Sequence, residues 1–114
     1  MTPDSTTPLE VRQMSVSELK ALQESGLPFE LVDVRTPAER ALAQIEGSRL
    51  LDQEFYDSLV NRDRDTMLVF QCHHGMRSQS AAQHFLELGF TNLHNVVGGI
   101  EAWSREIDPS VPRY

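Results

Sequence analysis

The chain carries, at residues 67–78, the stretch Met67-Leu68-Val69-Phe70-Gln71-Cys72-His73-His74-Gly75-Met76-Arg77-Ser78. Its first four residues form an apolar run, which together with Gln71 predicts a buried strand, and an amphipathic helical pattern begins at Ser78. Cys72 ends the strand and is followed by a short loop that contains Gly75. A strand, a short loop and a helix in this order aim backbone N–H groups and the positive helix end at one point. The stretch therefore predicts an anion-holding loop around a thiol.

Strands and helices alternate on both sides of this stretch. Two capping boxes, at Ser15–Glu18 and at Thr36–Glu39, each predict a helix start. The sequence predicts strands near 11–14, 29–34, 48–51, 67–71 and 93–97, and helices after Ser15, Thr36, Asp52 and Ser78 and around Ile100 and Trp103. This alternation predicts an α/β domain with a mainly parallel sheet. In such sheets, binding sites gather at the carboxyl ends of the strands.

Length and charge limit the function classes. The 114 residues suit a single domain, which we expect to span 9–108, with a flexible arm at 1–8 and a tail at 109–114. The formal charge of −7 disfavours nucleic acid and acidic membrane surfaces as partners. No stretch is apolar enough to cross a membrane. A lone cysteine suits a reducing compartment, so the cytoplasm is the expected location.

Cys72, the only cysteine, has two interpretations. Cysteine is often a buried packing residue, and composition alone favours that role. Its position at the end of a strand favours a catalytic thiolate, because Gly75 can adopt the positive φ that lets consecutive N–H groups converge. Such surroundings lower a thiol pKa from about 8.5 to about 3.5–7.5. Since the chain has no second thiol, any sulfur chemistry must finish on another molecule.

The rest of the loop supplies candidate binding groups. The guanidinium of Arg77 can bind an oxyanion, or it can tie down the loop through a carboxylate. His73 and His74 can add positive charge at mildly acid pH. Adjacent histidines beside one cysteine do not supply the ligands of a tetrahedral ion, so no metal is expected, and the residues indicate no cofactor.

Asp33 and Arg35 end another predicted strand, and two interpretations stay open for them. They can border the same crevice as Cys72, because the carboxyl ends of parallel strands share one edge of the sheet. Alternatively, Arg35 and Glu39 can form a local ion pair at the start of a helix.

With these motifs in view, the chain resembles the single-domain rhodaneses, a sulfurtransferase family. The resemblance rests on three motifs in order: Leu31-Val32-Asp33-Val34-Arg35 with Pro37-Ala38-Glu39, then Cys72 to Ser78, then Gly98-Gly99-Ile100-Glu101-Ala102-Trp103. It implies a sheet of about five mainly parallel strands with helices on both faces. It also implies that Cys72 carries sulfane sulfur as a persulfide in a cradle of His73, His74, Gly75, Met76, Arg77 and Ser78.

The resemblance further implies a small anionic sulfur donor, such as thiosulfate, and an external acceptor: cyanide, a thiol or a protein. Rhodanese-type enzymes place four residues between cysteine and arginine, and the related dual-specificity phosphatases place five. This chain has four, which favours sulfur over phosphate. Two other roles stay open: a persulfide carrier or regulatory partner-binding module without turnover, and a thiol redox sensor.

Overall fold

The computed structural model describes residues 10–114, which form five strands and five helices in strict alternation. The strands are β1 (Arg12–Met14), β2 (Glu30–Asp33), β3 (Ser48–Leu50), β4 (Leu68–Gln71) and β5 (Leu93–Val96). The helices are α1 (Val16–Ser25), α2 (Pro37–Leu42), α3 (Gln53–Val60), α4 (Met76–Glu87) and α5 (Gly99–Glu106).

The strands form one parallel sheet in the order β1-β5-β4-β2-β3, which places β4 at its centre. Side chains of β4 alternate between two apolar clusters, as the period of a strand requires: Val69 joins one, and Leu68 and Phe70 join the other. The first cluster includes residues of α1 and α5, and the second includes residues of α3 and α4. Helices therefore cover both faces, and the predicted α/β fold is confirmed.

Local sequence signals explain where the helices begin. Ser15 and Thr36 are the N-caps of α1 and α2, and each exchanges the two hydrogen bonds of a capping box with the glutamate three residues later. Asp52 caps α3 through its bond from the Phe55 N–H. Helix α4 begins at Met76, two residues before the predicted start, because Gly75 adopts φ 105° and turns the chain directly into the helix.

The fold gathers three chain segments at the carboxyl edge of the sheet: those that follow β4 and β5, and residues 109–114. Cys72 follows β4, and Val97 and Gly98 follow β5. Residues 109–114, predicted as a tail, return to the domain: the hydroxyl of Ser104 donates to the carbonyl of Val111, and Arg113 forms an ion pair with Glu101. The predicted arm at 1–8 lies outside the described residues. Among the residues that are described, no helix has the length and apolar character that crossing a membrane requires.

Candidate active site

The Cys72 sulfur lies in a ring of hydrogen-bond donors. The Gly75 N–H lies 3.1 Å from Sγ, the Ser78 N–H 3.4 Å, and the Ser78 hydroxyl 3.3 Å. Gly75 is the N-cap of α4 and has no side chain to accept the free N–H groups of the first turn. Ser78 is the third residue of the helix, whose N–H a capping side chain normally binds. The cysteine sulfur therefore takes the place of the capping group at the positive end of α4.

These donors decide the ionisation of the thiol. Cys72 is only 1% exposed, and burial by itself would raise the pKa of its thiol. Hydrogen bonds from the Ser78 hydroxyl and from the N–H groups of Ser78, Gly75 and His74 outweigh burial, so the pKa of Cys72 lies below its ordinary value. The surroundings thus favour the ionised form of a thiol that is largely screened from solvent.

A buried polar chain supports the Ser78 donor. The Ser78 hydroxyl lies between Asn95 Oδ1 of β5 and the Cys72 sulfur, and it can donate its single proton to either of them. Asn95 Nδ2 donates to the Gly75 carbonyl at 3.1 Å and to Gln13 Oε1 at 2.9 Å. Ser78 and Asn95 are 0% and 4% exposed, so these bonds are protected from competition with water. Asn95 thereby fixes both the loop glycine and the hydroxyl that faces the sulfur.

The other side of the loop rests on the start of α5. The Ile100 N–H donates to the Cys72 carbonyl at 2.8 Å, and the Glu101 N–H donates to the His73 carbonyl at 3.1 Å. Gly99 makes this contact possible, because a Cβ at that position would lie 2.3 Å from the Cys72 carbonyl oxygen. The first turn of α5 therefore binds the backbone at the start of the loop.

Arg77, a predicted substrate-binding residue, makes a two-pronged ion pair with Glu39 of α2. Its Nη1 and Nη2 lie 2.7 and 2.9 Å from the two carboxylate oxygens. Arg77 holds the pKa of Glu39 far below its ordinary range. Of the two roles open to Arg77, this geometry corresponds to tying down the loop through a carboxylate. The hydrogen bonds to Glu39 are the main cause that raises the pKa of Arg77, and the charge of an ionised Cys72 adds a smaller effect.

The remaining loop side chains point to different surroundings. The Met76 side chain is 81% exposed and His74 is also exposed, so these two residues contribute mainly backbone to the loop. His73 is half-buried, and burial together with its neighbour His74 lowers its pKa. The expectation that His73 adds positive charge at mildly acid pH is therefore not supported by its surroundings.

Asp33 and Arg35 are both buried, at 0% and 7% exposed, so their side chains do not line an open crevice beside Cys72. Asp33 is fully buried and accepts two bonds from Arg35 at 2.8 Å and one from Arg40 at 2.9 Å. The alternative interpretation, an ion pair between Arg35 and Glu39, is wrong. Arg35 turns inward to the buried Asp33 carboxylate and reaches only the backbone carbonyl of Glu39, whose own carboxylate is held by Arg77.

Sequence reasoning missed Asn95, the role of Glu39 and Tyr114. Tyr114 donates its hydroxyl proton to Glu39 at 2.9 Å, and its ring stacks on the imidazole of His73. The one available signal was an asparagine inside the apolar strand at 93–97, because a buried amide needs partners. The sequence indicates Glu39 as a capping residue and as an alternative partner of Arg35, but not as the partner of Arg77. Within residues 10–114, no cluster of three histidine, cysteine or acidic side chains lies close enough to hold a metal ion.

Comparisons with known proteins agree with this arrangement. The family model "Rhodanese-like domain" matches residues 15–106. The thiosulfate sulfurtransferase GlpE of Pseudomonas paraeruginosa is 36% identical over 100 residues, covering 87% of this chain and 88% of the relative. A rhodanese-like domain protein from Staphylococcus aureus superposes with a TM-score of 0.70 at 27% identity, over 91% of this chain and 99% of the other. The human single-domain sulfurtransferase TSTD1 gives 0.71 at 26% identity, over 84% and 97%. The chain belongs to the rhodanese-like family of sulfurtransferases.

Proposed function

We propose that the chain is a sulfurtransferase that carries sulfane sulfur as a persulfide on Cys72. The thiolate attacks the outer sulfur of thiosulfate, an S–S bond to Cys72 forms, the S–S bond of the donor breaks, and sulfite leaves with the electron pair. An acceptor such as cyanide or a thiolate then attacks the outer sulfur and regenerates the Cys72 thiolate. A persulfide can replace thiosulfate as donor, with its thiolate leaving in place of sulfite.

The observation that carries this proposal is the set of donors around Sγ. The N–H groups of Gly75 and Ser78 and the Ser78 hydroxyl already face the sulfur before a donor binds. Fixed donors stabilise a charge that stays on sulfur throughout both steps, without reorganisation during the reaction. The backbone of His73 to Ser78 is the proposed cradle, with Arg77 adding its charge from the position that Glu39 gives it.

Access to the thiol supports a small donor. Cys72 is 1% exposed, so a reacting atom must approach through a narrow opening. A terminal sulfur atom is slender, whereas a phosphoryl group brings three further oxygens that need donors of their own. The four-residue loop from His73 to Met76 agrees with this preference for sulfur.

A carrier that passes its persulfide to a protein is the second candidate. It is favoured by two exposed apolar side chains at the carboxyl edge of the sheet, Met76 at 81% and Val97 at 51%. A protein acceptor can cover such side chains. The lone thiol suits a reducing compartment, and we place either activity in the cytoplasm.

Sulfur transfer from thiosulfate to cyanide, followed as thiocyanate formation, tests the proposal. We expect turnover by the unmodified protein, none by a folded Cys72→Ser variant, and negligible hydrolysis of an aryl phosphate. Serine is a weaker nucleophile and cannot carry a persulfide. Turnover by folded Cys72→Ser, or robust phosphate hydrolysis by the unmodified protein, would overturn the assignment.

A further inference from the structure

Tyr114 makes three contacts at the carboxyl edge of the sheet. Its hydroxyl donates to Glu39 Oε2 at 2.9 Å and accepts from Arg35 Nη1 at 2.9 Å. Its ring stacks on the His73 imidazole, with centroids 4.1 Å apart and planes 12° from parallel. The segment that leads to it is itself attached, through the Ser104–Val111 hydrogen bond and the Arg113–Glu101 ion pair. Tyr114 is therefore placed by several independent interactions.

The three contacts reach both ends of the reactive loop. His73 is the first residue after Cys72, and Glu39 holds Arg77, which immediately precedes the Ser78 donor. Arg35 connects the phenol to the buried Asp33 carboxylate and thus to the end of β2. The ring and the hydroxyl together link the two loop ends to the rigid sheet.

We propose that Tyr114 is a positioning residue for the reactive thiol: it clamps the start of the loop through His73 and its end through Glu39 and Arg77. Within the described chain, the groups that face the phenol are the guanidinium of Arg35, the carboxylate of Glu39 and the imidazole of His73. Burial raises the pKa of Tyr114, which keeps its hydroxyl protonated and able to donate to Glu39.

The clamp is important because the strength of the hydrogen bonds to the Cys72 sulfur depends on short donor–sulfur distances. The Gly75 and Ser78 N–H groups lie 3.1 and 3.4 Å from Sγ, and hydrogen bonds weaken steeply beyond this range. The side chain of Arg77 is 46% exposed, and an exposed ion pair alone orders its partners weakly. The phenol adds a third partner to Glu39 and holds the carboxylate where it meets the guanidinium.

Two variants separate the halves of the clamp. Tyr114→Phe keeps the ring over His73 and removes both hydroxyl bonds, whereas Tyr114→Ala removes the ring as well. Tyr56→Phe is the matched control, because the hydroxyl of Tyr56 bonds His84, away from the reactive loop. The readout is the rate of Cys72 alkylation by iodoacetamide as a function of pH, together with kcat and KM for thiosulfate. Circular dichroism verifies that each variant is folded.

We expect Tyr114→Ala to shift the alkylation profile to higher pH and to slow the reaction at pH 7 by about three- to tenfold, the factor expected when the displaced loop loses one hydrogen bond to the Cys72 sulfur. Tyr114→Phe should give a smaller shift, and Tyr56→Phe none. A merely structural tyrosine would lower the melting temperature without moving the pH profile.

An unchanged alkylation profile and unchanged kcat/KM in folded Tyr114→Ala would overturn the clamp. The kinetic part of this inference rests on the proposed sulfur transfer, but the alkylation profile does not. A shifted profile in a protein whose Cys72 gains no sulfur from thiosulfate or from a persulfide donor would uphold the clamp and refute the proposed function.

Discussion

Cys72 shows how one residue gains reactivity from its neighbours. A thiol at 1% exposure ought to stay protonated, because burial disfavours charge. Here α4 has no capping side chain. The sulfur instead accepts a hydrogen bond from the Ser78 N–H, which a capping side chain would normally bind. Burial and hydrogen bonding thus have opposite effects on the pKa of Cys72: burial raises it, and the hydrogen bonds to the sulfur lower it by more.

Ser78→Ala tests the side-chain donor at this scale. The Ser78 hydroxyl lowers the pKa of Cys72, so its removal should raise that pKa and move the alkylation profile to higher pH. We expect alkylation at pH 7 to slow by about three- to tenfold. Ser80→Ala is the matched control, since Ser80 lies on the same helix and its hydroxyl reaches only the Met76 carbonyl. Equal profiles for the two variants would show that the backbone donors suffice.

Arg77 and Glu39 permit a second test. If Arg77 acts by holding the loop, Arg77→Ala and Glu39→Gln should both lower kcat/KM, and the double variant should be little worse than the worse single variant. If Arg77 instead binds the donor directly, Glu39→Gln frees the guanidinium and should lower KM for thiosulfate. The structure predicts the first pattern, and steady-state kinetics of the three variants distinguish the two.

The same pair has a defined pH dependence. Arg77 lowers the pKa of Glu39 from its ordinary 4.5, so the contribution of the pair to stability is present above pH 4.5 and is lost as pH falls toward the folded pKa. Thermal unfolding should therefore show the unmodified protein and Glu39→Gln converging as pH falls below 4.5. A stability difference that grows on acidification would contradict the pairing.

Among the elements, the first turn of α5 supports the reactive loop through a close backbone contact at Gly99. Gly99→Ala forces a positive φ on alanine and places its Cβ 2.3 Å from the Cys72 carbonyl oxygen. Gly26→Ala is the matched control, because Gly26 has φ 79° but no atom within 4 Å of the added Cβ. We expect about 1 kcal/mol of destabilisation for Gly26→Ala, and on the order of 3 kcal/mol for Gly99→Ala.

Activity separates these two glycine variants further. Gly99→Ala must displace the Cys72 carbonyl or the helix that binds it, so sulfur transfer and fast alkylation should both be lost. Gly26→Ala should retain them, since Gly26 ends α1 far along the chain from the loop. A fully active Gly99→Ala protein would show that the α5 contact does not position the loop.

Sequence signals predicted the elements well where the cause is local. In each capping motif the two hydrogen-bonding residues lie three positions apart, so the sequence alone identifies both. The structure contains these bonds at Ser15, Thr36 and Asp52. The start of α4 was predicted two residues late, at Ser78. Helical periodicity is visible only once apolar side chains recur, whereas the actual start is set by the backbone conformation of Gly75.

Across the whole molecule, the buried ion pair of Asp33 and Arg35 connects the end of β2 to α2, through Arg40, and to residues 109–114, through Tyr114. Arg35→Met leaves the fully buried Asp33 with Arg40 as its remaining charged partner, and we expect destabilisation of about 3 kcal/mol. Arg62→Met is the control, because its ion pair with Glu30 is exposed and should contribute at most about 1 kcal/mol. Urea unfolding measures the loss of stability in both variants. Equal losses would show that the buried pair contributes no more to stability than the exposed one.

The candidate site could be predicted only as far as its residues are consecutive. Cys72, Gly75 and Ser78 belong to one stretch, and their convergence follows from a strand, a loop and a helix. Partners that are distant in sequence had no local signal: Glu39 lies 38 residues from Arg77, and Tyr114 lies 75 from Glu39. These contacts depend on how the chain segments meet at the sheet edge, which periodicity and capping do not encode.

A persulfide on Cys72 can be detected by intact-protein mass spectrometry after incubation with thiosulfate, followed by peptide mapping. We expect a gain of one sulfur atom on Cys72, its removal by cyanide, and no gain in Cys72→Ser. A folded protein whose Cys72 alkylates readily but never gains sulfur from thiosulfate or from a persulfide donor would refute sulfur transfer through this residue.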